Sequence, residues 1–399
     1  MANTYISRTH SGTATNTKKI TYSAWLKFGT ANATEAILVE WLDGNHRVEF
    51  LRLSTGEIRL EWVDGGSNSA YFKTVRKFRD VNGWFHFVFT LDTTLATAGD
   101  RIKLYINGVR ETEFDSSYGT MNPALNKACR MNENGKTVYM GQRGNSAQYW
   151  TGSMSHIHFV DGTAYQADTF GSTDSTTGEW KINTSPTVTY GNHGWFILKD
   201  GNSVTDQSGN GNNCTASGTL TKTEDNPSNI FCTLNPLMIC NGYASGNATS
   251  LSFSNGNTYA GKVTHGAYFG TIGVSSGKFY WEVKVEDTNQ LIGIVAMRPT
   301  GGVTYLYDDA TINGYYPYGN NVYTNGSSAS GGPYDNTSNK IYSFALDAGN
   351  NKLWVGRDGS FTGDPANGTG ATWSSLPTGH DWTPLMHSMS TSQNNNAWF

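Results

Sequence analysis

Apolar and polar residues alternate with a period of two in segment after segment of this chain, a pattern that suits strands with one buried face and fits helical spacing poorly. Ile20, Tyr22, Ala24, Leu26 and Phe28 fall on one face of a predicted strand, with Thr21, Ser23, Trp25 and Lys27 on the other. Ile58, Leu60 and Trp62 alternate with Arg59 and Glu61, and Phe85, Phe87, Phe89 and Leu91 stand opposite Trp84, His86 and Thr90. Ile102, Leu104 and Ile106 run into Asn107-Gly108, the pair that a two-residue hairpin turn favours, and Val109, Glu111 and Glu113 lead away from it. Further strands are predicted at 154–160 and 195–199, and again at 279–285, 291–297, 341–346 and 352–355. No helix of ordinary length is expected.

The 399 residues exceed the roughly 250–300 at which one hydrophobic core stops growing, so two domains are expected. Periodicity lapses between Asp200 and Ser250, where Gly, Asn, Ser and Thr dominate. The predicted organisation is therefore a β-domain over 1–200, an extended connector over 201–250 and a second β-domain over 251–399. The connector is expected to pack on the domains, because Phe231, Leu234, Leu237, Met238 and Ile239 are too apolar for a free linker.

Charged residues are 15% of the chain, against about 25% in average soluble domains. The formal net charge is -4 with no basic run, so no phosphate-neutralising footprint is visible, which argues against nucleic acid. No apolar stretch approaches the roughly 20 residues of a membrane span, and residues 2–19 are too polar for a secretion signal. The four cysteines, Cys129, Cys214, Cys232 and Cys240, lack paired zinc spacing and are read as free thiols, with a Cys232–Cys240 bridge left open.

Gly83-Trp84-Phe85-His86-Phe87-Val88 followed by Arg101-Ile102-Lys103-Leu104-Tyr105-Ile106-Asn107-Gly108, with Tyr149 to Met154 and Phe159-Val160-Asp161-Gly162 later, resembles the laminin-G and concanavalin A-like jelly roll. Ser276-Gly277-Lys278-Phe279-Tyr280-Trp281-Glu282-Val283, then Phe344 to Asp347 and Lys352 to Val355, resembles SPRY domains. The two resemblances imply an all-β fold of two antiparallel β-sandwiches, a concanavalin A-like jelly roll followed by a SPRY-like sandwich. The connector, with Asp206-Gln207-Ser208-Gly209-Asn210-Gly211-Asn212 and Asp225-Asn226-Pro227, is similar to segments joining such modules in structural proteins of marine bacteriophages. That similarity implies a virion protein. A particle protein made in the host cytoplasm and released by lysis would need no signal peptide.

Candidate chemistry is sparse. A retaining glycosidase needs two carboxylates about 5–5.5 Å apart, and neither Glu40 with Asp43 nor Glu282 with Glu286 and Asp287 reproduces the E-x-D-x-x-E arrangement of related glucanases. No nucleophile elbow appears. His156 and His158, two apart on a strand, share a face; they are read as polar residues of an exposed sheet face rather than a metal pair. Asp206, Ser208, Asn210 and Gly211 imitate half a calcium loop, but Ser217 cannot supply the closing bidentate carboxylate, so a hydrogen-bonded Asx-type turn is preferred. Trp25, Trp41, Trp62 and Trp84 are assigned to packing. The candidate ligand surface is Tyr305, Tyr307, Asp308, Asp309, Tyr315, Tyr316 and Tyr318, aromatic and carboxylate groups on loops of the SPRY-like part; some of these tyrosines are expected to fill the core instead.

The function expected from this reading is a non-enzymatic virion structural protein, of the tail or fibre type, that attaches to a host surface glycan or protein through loop edges. A capsid decoration or head-fibre protein is the alternative, and a polysaccharide depolymerase the second. No cofactor or metal is expected. Expected partners are other virion proteins and further copies of the chain, at the virion surface. Asn396-Ala397-Trp398-Phe399 reads as the start of a closing strand, which suggests a trimmed form of a longer protein with an open sheet edge.

Overall fold

The alternating run at Ile20 forms the strand Lys19–Lys27, with Ile20, Tyr22, Ala24 and Leu26 fully buried as the period of two requires. It pairs antiparallel with Phe85–Asp92 and Ser153–Asp161. The computed structural model describes residues 3–117, 122–176, 178–199, 201–223, 225–238, 253–254, 256–260, 266–286, 288–297, 310–388 and 397–398. They form two units, Met1–Phe231 and Cys232–Phe399. Among the described residues the only helical elements are three single 3-10 turns, Ala98–Asp100, Arg130–Asn132 and Ala167–Thr169. The chain is all-β, as expected.

The first unit stacks two antiparallel sheets. One runs Trp195–Ile197, Ser153–Asp161, Lys19–Lys27, Phe85–Asp92, Ile102–Ile106, Val109–Arg110. The other runs Thr215–Ser217, Tyr5–Thr9, Thr137–Met140, Glu35–Asp43, His46–Arg52, Glu57–Asp64, Ser67–Lys77. Between them lie Phe28, Phe50, Leu60, Trp62, Phe72, Phe87, Phe89 and Leu104. The hairpin at Asn107-Gly108 forms as predicted: both residues have positive φ, 49° and 78°, and Ile106 pairs with Val109.

Two expectations fail on the outer face of the six-stranded sheet. The polar residues opposite the core face, Thr21, Ser23, His86 and His158, are buried, and Trp25 among them packs as assigned. Tyr165, Phe170, Trp180, Val188 and Tyr190 pack against Val88, Tyr105 and Val160 as a small second core. His156 and His158 do not share a regular face either, because His156 has φ 46° and the register shifts between Ser155 and His158. His158 stacks on Phe196 with ring centres 3.9 Å apart, and its Nδ1 lies 2.8 Å from the Tyr190 hydroxyl.

The first unit extends past residue 200. Thr215–Ser217 is the edge strand beside Tyr5–Thr9, and Asp225 forms a buried ion pair with Lys27, 2.8 Å apart, while accepting from Trp84 Nε1 and the Phe231 amide. Residues 201–231 are thus part of the sandwich rather than a separate connector.

The second unit is also a two-sheet sandwich. Phe253–Ser254, Tyr259–Ala260, Ala397–Trp398, Lys278–Val285, Lys340–Asp347, Lys352–Arg357 and Ser360–Phe361 form one sheet in that order. Ala267–Phe269, Trp382–Ser388, Gln290–Ala296, Asn313–Tyr316, Asn321–Thr324 and Ser327–Ser330 form the other. Val283, Ile292, Tyr315, Tyr342, Phe344 and Trp382 fill the space between. Ala397–Trp398 pairs on both sides, with Tyr259–Ala260 and with Lys284 and Val285, so the expected open edge at this strand is not present.

Candidate functional site

The outer face of the seven-stranded sheet in the first unit differs from its six-stranded counterpart in chemistry. Strands His46–Arg52 and Glu57–Asp64 each carry an arginine and a glutamate two residues apart, Arg47 with Glu49 and Arg59 with Glu61, so all four side chains leave the sheet on the face opposite the core. Register aligns Tyr139, Val39, Glu49, Glu61 and Tyr71 in one row across five strands, and Trp41, Arg47 and Val63 in the next.

Glu49 is the centre of this face and has no solvent exposure. Arg143, from the loop after Thr137–Met140, grips it with Nε at 2.7 Å from Oε2 and Nη2 at 3.1 Å from Oε1. Arg59 Nη2 donates to the same Oε1 at 2.6 Å and lies 3.1 Å from Glu61 Oε2. Arg47 bonds Glu61 through Nη2. Bidentate guanidinium–carboxylate bonds of this kind fix orientation as well as charge. Burial pushes the Glu49 carboxyl above its ordinary value, and the Arg143 and Arg59 guanidiniums pull it back down.

Trp41 completes the face. Its ring has the Arg143 guanidinium 4.5 Å from the ring centre and that of Arg47 at 5.6 Å, both within cation–π range. Gly144, at φ 88°, lets the loop lie on this tryptophan: a Cβ there would stand 2.7 Å from Trp41 Cβ. Trp41 roofs a small cluster of Ala36, Val39 and Leu51 while only half-buried itself, so its assignment to packing alone is incomplete. Trp62 is a core residue, and Trp25 stacks on His86.

Three of the seven residues predicted as a ligand surface, Tyr315, Tyr316 and Tyr318, are described, and they differ in burial. Tyr305, Tyr307, Asp308 and Asp309 lie outside the described residues. Tyr315 is fully buried and its hydroxyl donates to the Tyr334 carbonyl, which makes it a core residue and corrects its place among the ligand-binding tyrosines. Tyr316 is half-buried with its hydroxyl on Asn289, and Tyr318 is openly exposed. Glu40 is held by Arg130, and Asp43 by His46. Asp206 accepts from the amides of Phe196, Ser208 and Asn212 and from the Ser208 hydroxyl, so donors occupy both oxygens of the half calcium loop. Among the described residues no cluster of His, Cys, Asp and Glu is arranged to hold a metal ion. No helix there is long and apolar enough to cross a membrane.

The face centred on Glu49 was missed in the sequence, although the repeated Arg-x-Glu at 47–49 and 59–61 signals two adjacent strands with matched charges turned outward. The signal is incomplete because Arg143 and Trp41 join only through folding.

Residues 2–169 match the family described as the concanavalin A-like lectin/glucanases superfamily. No curated protein matches the chain. Among solved structures, the SPRY domain of human HERC1 is 14% identical, with 37% of this chain and 90% of that one covered and a TM-score of 0.30. A provisionally assigned carbohydrate binding protein from Bacteroides ovatus is 14% identical over 58% of this chain and 60% of that one, with a TM-score of 0.40. The heptameric SAP-like pentraxin of Limulus polyphemus is 16% identical over 41% and 72%, with a TM-score of 0.28.

Proposed function

We propose that the protein binds carbohydrate without cleaving it, and that the outer face of the seven-stranded sheet in the first unit is the binding surface. The observation that carries this reading is Trp41 held half-buried, with part of its ring open, beside Arg47 and Arg143, over a hydrogen-bonded grid of Arg59, Glu49 and Glu61. A rigid aromatic surrounded by oriented polar groups suits a sugar, which offers an apolar ring face and a rim of hydroxyls. The match of residues 2–169 to concanavalin A-like lectins and glucanases supports the substrate class. Cleavage would need two carboxyl groups free to reach the glycosidic bond. Glu49 is fully enclosed and Glu61 is tied to two arginines, which supports binding alone.

This moves the proposed contact from loop edges to a sheet face. The setting we propose is the virion surface, where a self-associating attachment protein would display the face to host glycans; immunogold labelling of intact particles that finds no exposed copy would remove that setting. The binding reading is tested with Trp41→Ala. A glycan screen followed by titration calorimetry should give at least a tenfold loss of affinity in the variant with an unchanged circular dichroism spectrum. Equal affinity in variant and native protein, or no glycan bound by the native protein, would refute it.

A further inference from the structure

We infer that the ligand of the Trp41 face is an anionic glycan, one bearing carboxylate or sulfate-ester groups. This rests on the carbohydrate reading above and adds the charge class. The face has three guanidiniums, Arg47, Arg59 and Arg143, and two carboxylates, Glu49 and Glu61. Beside it, Lys73 is paired with Asp115.

The donor count points the same way. A guanidinium has five N–H groups and two edges on which it can grip a planar anion. Arg143 spends the Nε–Nη2 edge on Glu49, and its Nη1 donates to no group among the described residues. Its Nη1–Nη2 edge therefore remains for a second anion, on a side chain 21% exposed and seated over Trp41. Arg59 likewise bonds through Nη2, with no partner for Nη1 among the described residues. Such an excess of donors disfavours an empty face and suits a ligand that supplies acceptor oxygens. Neutral sugar hydroxyls accept more weakly than carboxylate or sulfate oxygens, so the charged glycan gains more from the same donors.

The test compares three polymers of similar length on the full chain: polygalacturonate, dextran sulfate and neutral dextran, each at low and high salt. The expected result is at least tenfold tighter binding of one or both anionic polymers than of dextran, weakening as salt rises. Their ranking distinguishes carboxylate from sulfate recognition. Arg143→Gln alone would strand Glu49, so the variant is Arg143→Gln with Glu49→Gln, which removes the buried pair together. The double variant should lose the anionic preference by tenfold or more while keeping its fold. Equal binding of dextran and both anionic polymers overturns the inference and leaves the carbohydrate reading standing. Anionic binding unchanged in the double variant overturns it by placing the contact elsewhere. No binding to any of the three, where the glycan screen has found a neutral ligand, also overturns it; failure of the screen itself removes both readings.

Discussion

Replacing His86 with phenylalanine should flatten the acid sensitivity of the first unit. His86 lies between Trp25 and Trp180, whose rings are stacked at 5.0 and 6.0 Å. Trp180 Nε1 is 3.1 Å from Nδ1, and an indole nitrogen can only donate, so Nδ1 is the acceptor. Nε2 therefore carries the hydrogen and donates to Ser23 Oγ at 2.8 Å. Protonating Nδ1 would set two donors against each other in a site without solvent exposure. Burial lowers the imidazole to about 3 from its ordinary 6.5. As pH falls below 6.5 the unfolded chain takes up the proton and the folded chain does not, so stability present above 6.5 is lost progressively down to about 3. At about 1.4 kcal/mol per pH unit, the loss from this one group is about 2 kcal/mol at pH 5. Phenylalanine keeps the ring stack but strands Ser23 and Trp180, at about 1–3 kcal/mol near neutrality. Guanidinium unfolding followed by tryptophan fluorescence at pH 7.5, 6 and 5 should thus show the gap between native protein and variant narrowing by about 2 kcal/mol. His10, lowered to about 3 by burial and the neighbouring His193, acts with the same sign in both proteins and cancels, as does the larger, burial part of the lowering at His158; the smaller part that His86 itself contributes there is lost in the variant. Glu35 and Glu40, raised by burial, act with the opposite sign and cancel as well. Parallel stability curves across this pH range would refute the neutral, buried assignment of His86.

Two further outcomes concern the architecture of the first unit. Asp225→Ala breaks the buried ion pair with Lys27 and removes the acceptor of Trp84 Nε1 and the Phe231 amide, so chemical unfolding should show a loss of about 3–5 kcal/mol. Gly108→Ala combines a left-handed φ of 78° with a Cβ that would stand 2.3 Å from the Trp180 ring; a loss of about 1–3 kcal/mol is expected, and a native melting temperature would contradict it.

Strand content and the buried face were legible in the sequence because both depend on near neighbours. A residue two positions away lies on the same side of a strand wherever that strand ends up, so Ile20 to Leu26 and Phe85 to Leu91 announced the core, and Asn107-Gly108 announced its own turn. The fate of the opposite faces was not legible. Ser23, His86 and His158 look like solvent-facing residues, and Arg47, Glu49, Arg59 and Glu61 look much the same by that criterion. Folding buries the first set under residues 165–190 and leaves Arg47, Arg59 and Glu61 partly open around an enclosed Glu49. The same limit applies to Tyr315, whose place in the core and not on a loop surface depends on the strands packed around it. Local alternation determines which way a side chain points from its strand. Which strand lies alongside, and which segment crosses above, depend on pairings between residues tens to hundreds of positions apart, such as Arg143 with Glu49 and Asp225 with Lys27, and only the tertiary structure decides those.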